Sequence, residues 1–203
     1  MAFKIYIDTK EIFPVIHLKN EEDGTSAEVY AFGALLNSFK IAGSINIIDG
    51  FTSPQDARKN ITNGFKGAKL SPYVCRTIKG RYVFNDHEYK IGKFFMGEEA
   101  IHGLLYDAVF EVIDSGANNN SAFVKLEYDY SKEDEGFPFN YSCTVTYSLE
   151  KSNQLTIDTS VKNNSDTVMP LCDGWHPYFI LDANIDELSL QINAGRMLEF
   201  DEQ

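Results

Sequence analysis

Three successive runs of strict period-two alternation constrain this chain more than any other feature. In SAFVKLEYDY (residues 121–130), Val124, Leu126, Tyr128 and Tyr130 share one face, while Lys125, Glu127 and Asp129 share the other. In YSCTVTYSLE (141–150), Tyr141, Cys143, Val145, Tyr147 and Leu149 oppose Ser142, Thr144, Thr146, Ser148 and Glu150. In QLTIDTSVKNN (154–164), Leu155, Ile157, Thr159 and Val161 oppose Thr156, Asp158, Ser160 and Lys162. Side chains alternate across a strand, so each run predicts a half-buried strand with one face on a core. The breaks KEDEGFPF and KSN suit antiparallel hairpin connections.

Other segments fit the same scheme. FKIYID, AEVYAF, RYVFNDHEYKI, DAVFEVID and, near the C-terminus, ELSLQINA are rich in β-branched and aromatic residues and read as strands. Helical signals are few. SPQDARKN offers Ser53 as an N-cap and Pro54 at the first helical position, which predicts one short helix. No repeat, low-complexity tract or linker divides residues 1–203, so the expectation is a single mainly β domain, a β-sandwich or a related large antiparallel architecture.

The 203 residues are 43% hydrophobic, enough to bury a core. The formal net charge of -12 repels phosphate backbones and anionic lipid heads, which argues against nucleic acid and membrane surfaces as partners. A neutral small molecule is not disfavoured by that field. Cys75, Cys143 and Cys172 form no CxxC pair and no even framework, so neither a disulfide scaffold nor a zinc site is expected. MAFKIYIDTK lacks the apolar core of a signal peptide, and the expected compartment is the cytoplasm.

Phosphate-loop, dinucleotide, metalloprotease, nucleophile-elbow and EF-hand patterns are all absent. The functional case therefore rests on histidines and their company. His17 and His87 have no converging polar groups in their sequence neighbourhood and read as structural. His102 precedes Gly103, and a glycine there permits close backbone approach or an unusual dihedral. Arg76 lies in LSPYVCRTIKGRYVF, an irregular stretch leading into a strand; a guanidinium offers several fixed donors to hydroxyls, and a simple ion pair is the alternative. His176 lies in GWHPYF, between aromatic residues. It reads either as a satisfied core histidine or as a general acid on the apolar floor of a pocket, a task suited to imidazole near neutral pH. Trp175, Tyr178 and Phe179 could offer flat faces to sugar C–H groups.

Taken in order, three of these segments resemble the aldose 1-epimerase (galactose mutarotase) family. They are GAKLSPYVCRTIKGRYVFNDHEYKI, AIHGLLYDAVFEV and GWHPYF. The first departs from the family's usual Asn-Arg-Ile, reading Cys75-Arg76-Thr77. The second matches its Leu-His-Gly segment and the third its His-Pro-Tyr-Phe segment. The similarity runs from about Gly64 onward and more loosely before it. It implies a large antiparallel β-supersandwich of the galactose mutarotase-like kind. It also implies cofactor-free and metal-free interconversion of the α and β anomers of a free hexose. In that reaction His176 is the general acid at the ring oxygen. His102 is counted as catalytic beside it: with Arg76, which binds substrate, it hydrogen-bonds and orients the sugar and stabilises charge as the ring opens.

The family's base is a glutamate far toward the C-terminus, and a sugar-binding aspartate also lies beyond the His-Pro-Tyr-Phe segment. The sequence stops at Gln203, in MLEFDEQ, before either expected position. Asp173, Asp182, Asp186 and Glu187 are near His176 but receive no such role; Asp173 reads as a turn or hydrogen-bonding residue. The expectation is a fold truncated at its C-terminus, lacking strands and leaving open sheet edges that a second copy could cover. The isomerase reading needs a carboxylate from elsewhere. Its rivals are a non-catalytic carbohydrate-binding protein of the same fold, an accessory domain of a glycoside hydrolase, and a hexose-phosphate mutarotase. A phosphate would want several basic groups at the pocket; Lys66, Lys69, Lys79 and Arg81 surround Arg76 in sequence and read equally as solvated side chains.

Overall fold

The structure is a computed structural model that describes residues 1–43 and 45–196. The terminal run MLEFDEQ lies outside the described residues. Strands β1 (Phe3–Asp8), β2 (Val15–Asn20), β3 (Ser26–Tyr30), β4 (Leu35–Ile41) and β5 (Ile45–Asn46) form one antiparallel sheet in that order. Helix α1 (Pro54–Asn60) follows, with Ser53 Oγ accepting the Asp56 amide at 3.1 Å and Pro54 in its first turn, as the sequence predicts. Ala57, on this helix, and Ile61, just past it, are buried against Phe13, Val15 and Leu35.

A run of short elements comes next: β6 (Ala68–Leu70), β7 (Arg76–Thr77), the hairpin β8 (Arg81–Phe84) and β9 (His87–Lys90), then β10 (Phe95–Met96) and β11 (Glu99–Ile101). The second large sheet is β12 (Glu111–Ala117), β13 (Ser121–Ser131), β14 (Asn140–Glu150) and β15 (Gln154–Asn163), again antiparallel and in chain order. Last is β16 (Gly174–His176), which pairs with β6.

The alternating runs build the second sheet as expected. Along β14, Tyr141, Cys143, Val145, Tyr147 and Leu149 are wholly buried, and the residues between them face partly outward. Register sets Leu126 opposite Val145 and Val124 opposite Tyr147. These side chains pack with Phe3, Ile16, Leu18 and Val29 of the first sheet in one shared core. Each such large apolar side chain contributes roughly 1.5–3 kcal/mol by leaving water. On β15 the inward face opens: Leu155 and Val161 are half-buried and Ile157 is exposed. The architecture is a mainly β, antiparallel sandwich.

Two strand expectations need correction. DAVFEVID forms a strand only from Glu111; before it, Val109 makes an isolated bridge to Phe32, and the register slips between Val112 and Asp114. ELSLQINA forms no strand. A single 3-10 turn, Ile185–Glu187, leads into irregular, exposed chain. Alternation shows that a segment could lie on a sheet, but a strand also needs a neighbour to satisfy its backbone groups. Among the described residues this segment has none, and Leu190 and Ile192 point into solvent. No helix of the described residues is long and apolar enough to cross a membrane.

Candidate active site

Two short ladders assemble the site. β7 and β11 pair antiparallel, with Arg76 opposite Ile101, which brings Arg76 beside His102. β6 and β16 pair with His176 opposite Ala68, and the Gly67 amide donates to the His176 carbonyl at 2.9 Å. Arg76, His102 and His176 then line one cavity of about 580 Å³, together with Cys75, Glu99 and Ile101. That volume falls within the ~300–1,000 Å³ range of small-molecule sites.

Backbone geometry around His102 is unusual for a physical reason. His102 has φ +65° and Gly103 has φ +80°. The first is uncommon for any residue with a side chain; the second suits glycine. A Cβ on Gly103 would stand 2.5 Å from the Ser71 carbonyl oxygen. The Leu104 amide donates to that same oxygen at 2.7 Å, and the His102 amide donates to the Cys75 carbonyl at 2.9 Å. The His-Gly pair is therefore a hook that locks the β11 exit onto the loop carrying Pro72 and Cys75.

The imidazole of His102 stands edge-on to Phe65, with centroids 4.6 Å apart. Its Nδ1 is buried without a hydrogen-bond partner among the described residues. Burial first, and then the neighbouring His176 and Arg76, lower the His102 pKa from 6.5 to about 4. Near neutral pH His102 is uncharged, so one ring nitrogen donates and the other accepts. The Arg76 guanidinium is largely exposed and pairs with the Glu99 carboxylate at 3.3 Å. The His176 ring stacks on Tyr178 at 5.4 Å.

Trp175 and Tyr178 face a neighbouring space. With Tyr147, Ile157, Pro177 and Phe179 they line an apolar cavity of about 400 Å³ on the other side of β16. Strand alternation accounts for this placement, since Trp175 and His176 must point opposite ways. Tyr178 touches both sides through its stack on His176. His17 lies away from the cavity, on β2, stacked on Tyr6 and 3.5 Å from Glu28; His87 lies on the exposed β8–β9 hairpin. Sequence reasoning passed over Glu99 and Cys75 as lining residues. The signal for Glu99 was its place in the strand that delivers His102. Among the described residues no group of three or more His, Cys, Asp and Glu side chains could hold a metal ion.

Residues 14–203 match the family model described as Aldose 1-epimerase. The chain belongs to the aldose 1-epimerase family. It is 23% identical to the aldose 1-epimerase of Haemophilus influenzae over 198 residues, which is 94% of this chain and 56% of that protein. It is 26% identical to the Escherichia coli aldose 1-epimerase over 200 residues, 94% of this chain and 55% of that one. Among solved structures, the galactose 1-epimerase from Lactobacillus acidophilus superposes with a TM-score of 0.68 at 22% identity, covering 87% of this chain and 52% of that one. A galactose mutarotase-like protein from Clostridium acetobutylicum gives a TM-score of 0.70 at 21% identity, covering 87% and 53%. These likenesses show the galactose mutarotase-like fold. The chain spans about half the length of the curated aldose 1-epimerases it matches.

Proposed function

We propose that this member of the aldose 1-epimerase family binds a free hexose in the cavity shared by Arg76, His102 and His176 and serves its mutarotation. The observation that carries the reading is the meeting of these three side chains in one space, from segments far apart in the chain. His176 donates a proton to the ring oxygen as the bond from that oxygen to C1 breaks. A base takes the proton of the C1 hydroxyl, which becomes the aldehyde. Rotation about C1–C2 and closure on the other face return both protons and yield the other anomer. Each positioned acid or base supplies about 100- to 10,000-fold. Uncharged His102 and cationic Arg76 hold sugar hydroxyls, and Glu99 orients the guanidinium. The base glutamate and sugar-binding aspartate that the family resemblance calls for are assigned to no residue of this chain.

A free sugar is favoured over a phosphorylated one by the ion pairs. Lys66 is taken by Asp49, Lys69 by Asp173 and Arg81 by Glu88, while Lys79, in no ion pair among the described residues, does not line the cavity. Polarimetry of freshly dissolved α-glucose and α-galactose tests the reading, with mutarotation expected to run faster than in buffer. A rate equal to the buffer blank, with sugar still bound, would establish a binding protein instead.

A further inference from the structure

Lys69 is wholly buried, an unusual place for a charged side chain. Its ammonium meets the Asp173 carboxylate at 2.5 Å and the Gly174 carbonyl at 3.1 Å, and stands 4.7 Å from the centre of the Trp175 ring. All three partners are consecutive, and His176 is the next residue. Between them they occupy the donors of the ammonium, which offsets the cost of burying it. Trp175 is in turn set edge-on to buried Tyr147, with centroids 6.4 Å apart.

The β6–β16 ladder is only three residue pairs long. Backbone bonds flank it, from the Cys172 amide to the Pro72 carbonyl and from the Asp49 amide to the Tyr178 carbonyl, but a ladder this short does not by itself set the direction of a side chain. Lys69 adds a cross-strand clamp on the face opposite His176. The side chains facing His176 itself are His102 and Tyr178, with Arg76 across the cavity; none of them restrains its backbone.

We infer that Lys69 is a positioning residue: by clamping Asp173, the Gly174 carbonyl and the Trp175 ring, it fixes β16 so that the His176 imidazole faces Arg76 and His102. This role rests on the reading of His176 as the acid. Lys69 touches no substrate and lines neither the Arg76 cavity nor the apolar one.

The test is Lys69→Met in the full chain, which keeps the buried stem and removes the ammonium, read beside Lys69→Arg. A group displaced by about an ångström loses roughly 100-fold in rate, so kcat for mutarotation should fall by about 10- to 100-fold in Lys69→Met. KM should change by less than about threefold, because uniform sugar binding is retained. Lys69→Arg should recover much of the loss. The ring NMR signals of His176 should move in Lys69→Met and return toward wild type in Lys69→Arg. Wild-type kcat together with unmoved His176 ring signals overturns the inference. If Lys69→Met does not fold, Asp173→Asn opens the same clamp with the shape kept and is read in the same way. If the wild-type chain shows no turnover, the proposed function fails, and the His176 ring signals still decide the role of Lys69.

Discussion

The imidazoles of His102 and His176 meet edge to face, with ring centroids 4.9 Å apart and 69° between their planes. One ring comes from the exit of β11 and the other from β16, so no local sequence signal could have paired them. Two imidazoles this close do not both hold a proton readily, because like charges oppose each other. Of the two, His102 is the ring that burial keeps neutral.

Replacing His176 with alanine should cost about 100- to 10,000-fold in mutarotation rate, the range for one positioned acid. The fold should persist, since the ring is half-buried and has aromatic contacts only to Tyr178 and His102 among the described residues. Polarimetry and a thermal melt followed by circular dichroism check both halves. Normal turnover would end the acid assignment.

His102 should make stability fall in mild acid. Its folded pKa is about 4 against an ordinary 6.5. Above 6.5 both folded and unfolded chains carry it neutral, and its contribution is fully present. Between 6.5 and about 4 the unfolded chain takes up a proton that the folded chain refuses, so stability drops as pH falls through that window. Urea unfolding at a series of pH values should show a shallower decline in His102→Asn than in wild type. Equal declines would contradict the burial of this ring.

Gly103→Ala should destabilise the chain by roughly 1–3 kcal/mol, the cost of forcing a side chain into a sparsely populated backbone region. The added methyl group would also press on the Ser71 carbonyl. Because the same backbone carries His102, sugar binding should weaken in parallel. Denaturant midpoints and a binding titration read the two effects.

Cys75→Asn should raise stability, by about 1 kcal/mol, because asparagine tolerates the left-handed conformation better than cysteine does. Cys75 has φ +54°. Its carbonyl still accepts the His102 amide in the variant, so the placement of His102 should be unchanged. A melting temperature below wild type would show that the thiol makes a contact worth more than the relieved strain.

Sequence reading fared according to how local each feature was. The β13–β14–β15 meander was legible because its alternation persists over long strands joined by short turns, and Ser53-Pro54 announced α1 through cap chemistry alone. Strands β6, β7, β11 and β16 were not legible. At two or three residues each they carry no period, and only partners distant in the chain hold them in place. The convergence of Arg76, His102 and His176 was foreseen from resemblance, not from pattern. The clamp of Lys69 on Asp173 went unseen because a lysine in sequence looks like surface. Alternation within GWHPYF could have told that Trp175 and His176 look into different spaces.

The strand Gly174–His176 is a partition, with a chamber of mixed lining before it and a greasy one behind. Whatever fills or empties the rear chamber leans on the same panel from which His176 projects. A change of shape on the back of this wall will therefore be felt at its front.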